Sequence, residues 1–104
     1  MGAVYTWTEE KNRANKKKHG FYISDILEVF DDPHLLEFYD ADHSTPEEER
    51  YITIGRFHNT TILFVVTTDR KGGETQIISA RKATQKEQEA YNDHYRKSAY
   101  SSGN

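Results

Sequence analysis

The chain contains no cysteine, so neither a disulfide framework nor a thiolate metal site is open to it. It contains no apolar run long enough to cross a bilayer as a helix, and its first residues lack the apolar core of a signal peptide. A cytoplasmic protein without membrane contact is therefore expected. Internal repeats are absent too. Its five histidines, His19, His34, His43, His58 and His94, show no ligand-like spacing, which argues against a zinc site and leaves no cofactor to expect. Hydrophobic residues are only 35% of the 104, against 30% charged, so one small core under a heavily charged surface is expected, in a single domain.

Charge is present in blocks. The net value of −3 argues against a general nucleic-acid binder. Yet residues 11–18 carry five basic side chains and no acid, residues 25–49 carry ten acids and no Lys or Arg, and residues 50–86 carry seven basic side chains against Asp69 and Glu74. Such sorting predicts one basic and one acidic face, unless folding remixes the blocks.

The pattern of elements predicts an α+β fold, a twisted, mainly antiparallel sheet packed against N-terminal helices and closed by a C-terminal helix. Residues 4–7 read as a short first strand or an extended lead-in. Thr8 is placed to cap a helix with Glu9 and Glu10 in its first turn, Lys16, Lys17, Lys18 and His19 in its last, and Gly20 beyond it. That helix has almost no apolar face, only Ala14. Ser24 can cap a second helix whose stripe is Ile23, Ile26, Leu27, Val29 and Phe30, ended by Asp31, Asp32 and Pro33. Residues 35–39 are a weaker strand candidate and residues 40–48 an acidic loop. Residues 50–57 alternate as a strand, and His58 with Asn59 suits a hairpin turn. Residues 60–68 read as a central strand buried on both faces, and residues 74–80 as the last strand. Thr84 and Glu87 have capping-box spacing, so a helix should run from there to about His94, with a polar tail over 96–104 after a domain of residues 1–95.

Four arginines, Arg50, Arg56, Arg70 and Arg81, fall at predicted strand ends, where a rigid backbone can present a guanidinium to phosphate oxygens. Within IISARKAT, residues 77–84, Arg81 and Lys82 adjoin the start of a helix, an arrangement suited to an anion. Cleaving RNA without a metal takes a base, cations for the phosphate and an acid. His19, closing the basic helix, and His43, in the loop before Glu47, Glu48 and Glu49, are candidates for proton transfer. Tyr91 can stack on a base or pack on the sheet. Each of these also has a plain structural reading as a surface ion pair, a helix-terminal histidine or a core aromatic.

Five segments in order, WTEEKNRANKKKHG (7–20), ISDILEVFDDP (23–33), HSTPEEERY (43–51), IGR (54–56) and IISARKATQKEQEAY (77–91), resemble the BrnT toxins of bacterial type II toxin–antitoxin modules. The resemblance implies a RelE-like fold and a ribonuclease that halts translation by cutting RNA. It implies a BrnA-like antitoxin with a ribbon-helix-helix element, and a complex that binds operator DNA through the antitoxin and represses its own promoter. It leaves room for a toxin dimer in that complex. It points to Lys18, His19 and Gly20, to Glu49 and Arg50, to Thr68 and Arg70, and to Ser79, Ala80 and Arg81. The expected catalytic set is Arg81, Arg70, Arg50, His19, His43 and Glu49. Lys17, Lys18, Arg56, Lys82 and Tyr91 are expected to contact RNA. A catalytically silent module that binds the antitoxin and tunes repression is the alternative.

Overall fold

The computed structural model describes residues 4–70 and 72–102. Its elements are β1 (Val4–Thr6), α1 (Glu9–His19), two 3-10 turns (Ile23–Asp25 and Leu27–Asp31), β2 (Leu36–Tyr39), β3 (Arg50–Phe57), β4 (Thr61–Asp69), β5 (Glu74–Lys82) and α2 (Gln85–Ser102). The sheet order is β1-β5-β4-β3-β2. β1 runs parallel to β5 and every other pairing is antiparallel, so the sheet is mixed. No helix among the described residues is long and apolar enough to cross a membrane.

β4 lies at the centre, as its apolar run requires. Its alternate residues serve two small cores. Leu63 and Val65 join Ile23, Ile26, Val29, Phe57, Ile77 and Ala80 on one face. Ile62, Phe64 and Val66 pack against Ile52, Ile54 and Tyr91 on the other, beneath α2. The β3–β4 link takes His58 and Asn59 into the left-handed region, at φ 55° and 65°, as a tight hairpin demands.

The segment that the sequence marks as a second α-helix is instead a pair of 3-10 turns. Ile23, Ile26 and Val29 are all fully buried and sit three residues apart. That spacing matches the three residues per turn of a 3-10 helix better than the α period. The core stripe is as expected, but Ser24 caps nothing. Its amide donates to Asn12 Oδ1 at 3.1 Å, and its hydroxyl accepts from Asn12 Nδ2 at 3.4 Å. These turns press on β3 at Gly55, where an added Cβ would lie 2.9 Å from Val29 Cγ2 and 3.1 Å from Val29 O.

α2 also continues past His94 to Ser102, so residues 96–102 extend a helix where a polar tail is expected. The remainder of that tail, residues 103–104, lies outside the described residues.

Candidate active site

α1 is held to the sheet by asparagines. Thr8 accepts from the Lys11 amide at 3.1 Å and Gly20 closes the helix at φ 85°. The two buried residues of α1 are Asn12 and Asn15. Asn15 Nδ2 donates to Ala80 O at 2.9 Å and to Phe21 O at 2.8 Å, and its Oδ1 accepts from the Ala80 amide at 2.9 Å. β1 pairs with β5 only from Glu74 to Gln76. Beyond that point the Asn15 amide pairs with the edge of β5 as a strand would, which satisfies buried backbone groups. Reasoning from sequence missed this role, although an N-x-x-N pair on a helix without an apolar face is its visible trace.

Docking α1 this way brings its basic end to the end of β5. His19 has its pKa lowered from the ordinary value, by burial first and then by the charges of Lys18 and Arg81. The shift favours the neutral imidazole, the form able to accept a proton. Lys17 and Lys18 beside it, and Lys82 after Arg81, are exposed.

Arg81 itself is held from two sides. Its guanidinium makes a two-pronged pair with Glu87, Nη1 to Oε1 at 2.9 Å and Nη2 to Oε2 at 3.0 Å, and lies 4.0 Å from the centre of the Phe64 ring. Glu87 is also the capping-box acid of α2, accepting from the Thr84 amide at 2.8 Å, while its own amide donates to Thr84 Oγ1 at 3.2 Å. The Arg81 hydrogen bonds are the largest cause that holds the Glu87 carboxyl below the usual glutamate range. The cation is thus fixed in direction, yet about a third of its side chain remains open at 32% exposure.

The remaining candidates fall at the opposite end of the sheet. Arg50 pairs with Thr68 and Arg81 with Phe64, so their rows are four β4 residues apart. At the usual rise this is about 13 Å along the strand, with two strand spacings across. Arg50 Nε and Nη2 both meet Glu48 Oε1 at 3.1 Å. Arg70 Nε donates to Gln76 at 2.6 Å. His43 pairs with Asp40 at 2.9 Å on an exposed loop. The Glu49 side chain is exposed, and its carbonyl accepts from Thr68 Oγ1 at 2.7 Å. Placement therefore sets His19 within electrostatic reach of Arg81, with Lys17 and Lys18 next to the one and Lys82 next to the other along the chain, and keeps Arg50, Arg70, His43 and Glu49 apart from them.

Two further expectations change. Tyr91 is 0% exposed and donates its hydroxyl to Asp32 at 2.5 Å, so its ring is core and has no face for a base. Arg56 lies over the Tyr91 and Tyr95 rings, 5.9 and 5.3 Å from their centres, which turns it towards α2. Asp32, which sequence reasoning treated only as a helix stop, also accepts from the amides of His34 and Arg56, both at 2.9 Å. Among the described residues no three His, Asp or Glu side chains gather as metal ligands would.

The chain can be placed among known proteins. The family model described as "Ribonuclease toxin, BrnT, of type II toxin-antitoxin system" matches residues 7–87. Among solved structures, the ribonuclease toxin BrnT of Brucella abortus is 26% identical, with a TM-score of 0.63 over 81% of this chain and 100% of that one. No curated protein matches. The matched residues run from the cap of α1 to the acid that clamps Arg81, and the chain belongs to the BrnT family, the ribonuclease toxins of type II toxin–antitoxin systems.

Proposed function

We propose that this chain is an endoribonuclease toxin of RelE-like type that acts in the cytoplasm and inhibits translation by cutting RNA with side chains alone. The observation that carries the reading is His19 placed where the Arg81 charge helps to lower its pKa, with that cation itself fixed in direction by Glu87. In this scheme the neutral imidazole takes the proton of a ribose 2′-hydroxyl, and the 2′-oxygen attacks the adjacent phosphorus. The bond from phosphorus to the 5′-oxygen breaks, leaving a 2′,3′-cyclic phosphate, and the departing 5′-oxygen takes a proton from water to become a 5′-hydroxyl. Arg81 stabilises the charge that builds on the phosphoryl oxygens, a contribution of about 10²–10³ in rate for one such group. Lys17, Lys18 and Lys82 lead the flanking phosphates to it. Arg50, Arg70, His43 and Glu49, at the far end, serve at most to guide the strand. A BrnA-like ribbon-helix-helix antitoxin neutralises the toxin, and the pair represses its own operon through operator DNA.

Expression without antitoxin tests this reading. Growth arrest with RNA carrying cyclic phosphate ends, both abolished by His19→Gln, supports it. Normal growth with intact antitoxin binding supports the silent module, a reading favoured by one observation, the occupation of both Arg81 prongs by Glu87.

A further inference from the structure

β2 forms one edge of the sheet, bonded only to β3. The Asp40 amide donates to Arg50 O at 2.9 Å, which makes Asp40 and Arg50 a bonded pair. Bonded and non-bonded pairs alternate along an antiparallel ladder. Phe38–Ile52 and Leu36–Ile54 are then bonded pairs, and Glu37 and Tyr39 turn their N–H and C=O groups outward. Those outward groups have no partner among the described residues. Exposed edges are commonly blunted by lysine, proline or a bulge, and the LEFY run of β2 has none of these. Instead Phe38 and Tyr39 are 44% and 47% exposed.

The charge around this edge is mainly acidic, and the cationic groups beside it, Arg50 and His43, already face acids, Glu48 and Asp40. Glu37 and Asp40 lie on or beside it, within the segment 25–49 that holds ten acids and no Lys or Arg. After burial, Glu37 and Asp31 raise the pKa of Tyr5, and Glu49 and Asp69 raise that of Tyr51, so the field here is negative. RNA is repelled from such an edge. A second copy would set one acidic edge against another.

We propose that β2 receives an extended, basic segment of the cognate antitoxin as an added strand, its apolar side chains against Phe38 and its Lys or Arg against Glu37 and Asp40. The family assignment supplies only the partner's identity. The toxin is left with one end of the sheet for RNA and one acidic edge for its inhibitor.

Isothermal titration of the toxin with its co-encoded antitoxin tests this. Glu37→Pro removes an outward N–H while leaving the β3 ladder intact, and should weaken binding about tenfold or more. Glu37→Ala should weaken it less, by an amount that shrinks as salt is added. Amide exchange in the unsubstituted toxin covers a Glu37→Pro chain that fails to fold. The Glu37 and Tyr39 amides should become protected only when antitoxin is present. Unchanged affinity of folded Glu37→Pro, unchanged exchange of both amides, or their protection in a dimer of toxin alone would each overturn the proposal. None of these readouts involves RNA, so a failure here leaves the ribonuclease reading standing, and the reverse.

Discussion

The side-chain amide of Asn15 and the peptide of Ala80 pair through two hydrogen bonds, each 2.9 Å long, across 65 residues of sequence. This contact replaces the missing continuation of β1 and sets where α1, and with it His19, meets β5. Asn15→Leu removes both partners of a buried peptide and should cost about 1–3 kcal/mol for each group left unpaired. Urea denaturation measures the loss. Asn15→Asp, which keeps the acceptor and loses the donors, should fall between the two. An Asn15→Leu chain as stable as the unsubstituted one would show that the pairing is dispensable.

Tyr91 makes a clean separation of packing from RNA stacking. Its hydroxyl donates to Asp32, whose carboxyl burial would raise but which this bond and the His34 and Arg56 amides hold below the usual aspartate range. Tyr91→Phe should therefore destabilise the fold by about 1.5–3 kcal/mol, the range for a hydrogen bond to a charged group. RNA cleavage per folded molecule should be unchanged. A selective loss of cleavage with intact stability would instead place the ring at the substrate.

Gly55 marks the close approach of the 3-10 segment to β3. With Val29 Cγ2 at 2.9 Å and Val29 O at 3.1 Å from a new Cβ, Gly55→Ala must push the turn off the sheet. A loss of about 1–3 kcal/mol, typical of overpacking, is expected in thermal or urea unfolding.

Acid should loosen the fold in a defined window. Glu87 and Asp32 both have folded pKa values below their ordinary 4.5 and 3.8. A depressed carboxyl contributes stability that is fully present above the unfolded value and is lost as pH falls through the folded one. Unfolding free energy should thus be level in these groups above about pH 5 and decline below it. Glu87→Gln should flatten the upper part of that decline. His19 is depressed from 6.5, so its own contribution begins to fall earlier, below that value.

Much of the fold is legible in the sequence because it is local. Thr8, Gly20, Thr84 and Glu87 act on backbone groups within four residues and do what their types predict. The apolar run of β4 marks a strand covered on both faces. The 3-10 turns were half legible, since Ile23, Ile26 and Val29 fix the buried face while helix type depends on the fit against Gly55. The site was legible as a list of cations and histidines but not as a place. Which end of the sheet an arginine reaches is decided by strand register, and the pairing of Arg50 with Thr68 rather than Phe64 has no local signature. Tyr91 was ambiguous for a related reason, because Asp32, its partner, lies 59 residues away.

In the reaction proposed above, His19 and Arg81 act as one catalytic centre at one end of the sheet. Single-turnover cleavage of a defined RNA by His19→Gln, Arg81→Gln, the double variant and Arg50→Gln tests it most directly. Each of the first two should lose about 10²-fold or more, with the double little worse than either, because groups that act as a unit are not additive. Arg50→Gln should keep most of the rate. Full cleavage by His19→Gln or Arg81→Gln, with the loss falling on Arg50→Gln, would move the centre to the other end of the sheet and contradict the account.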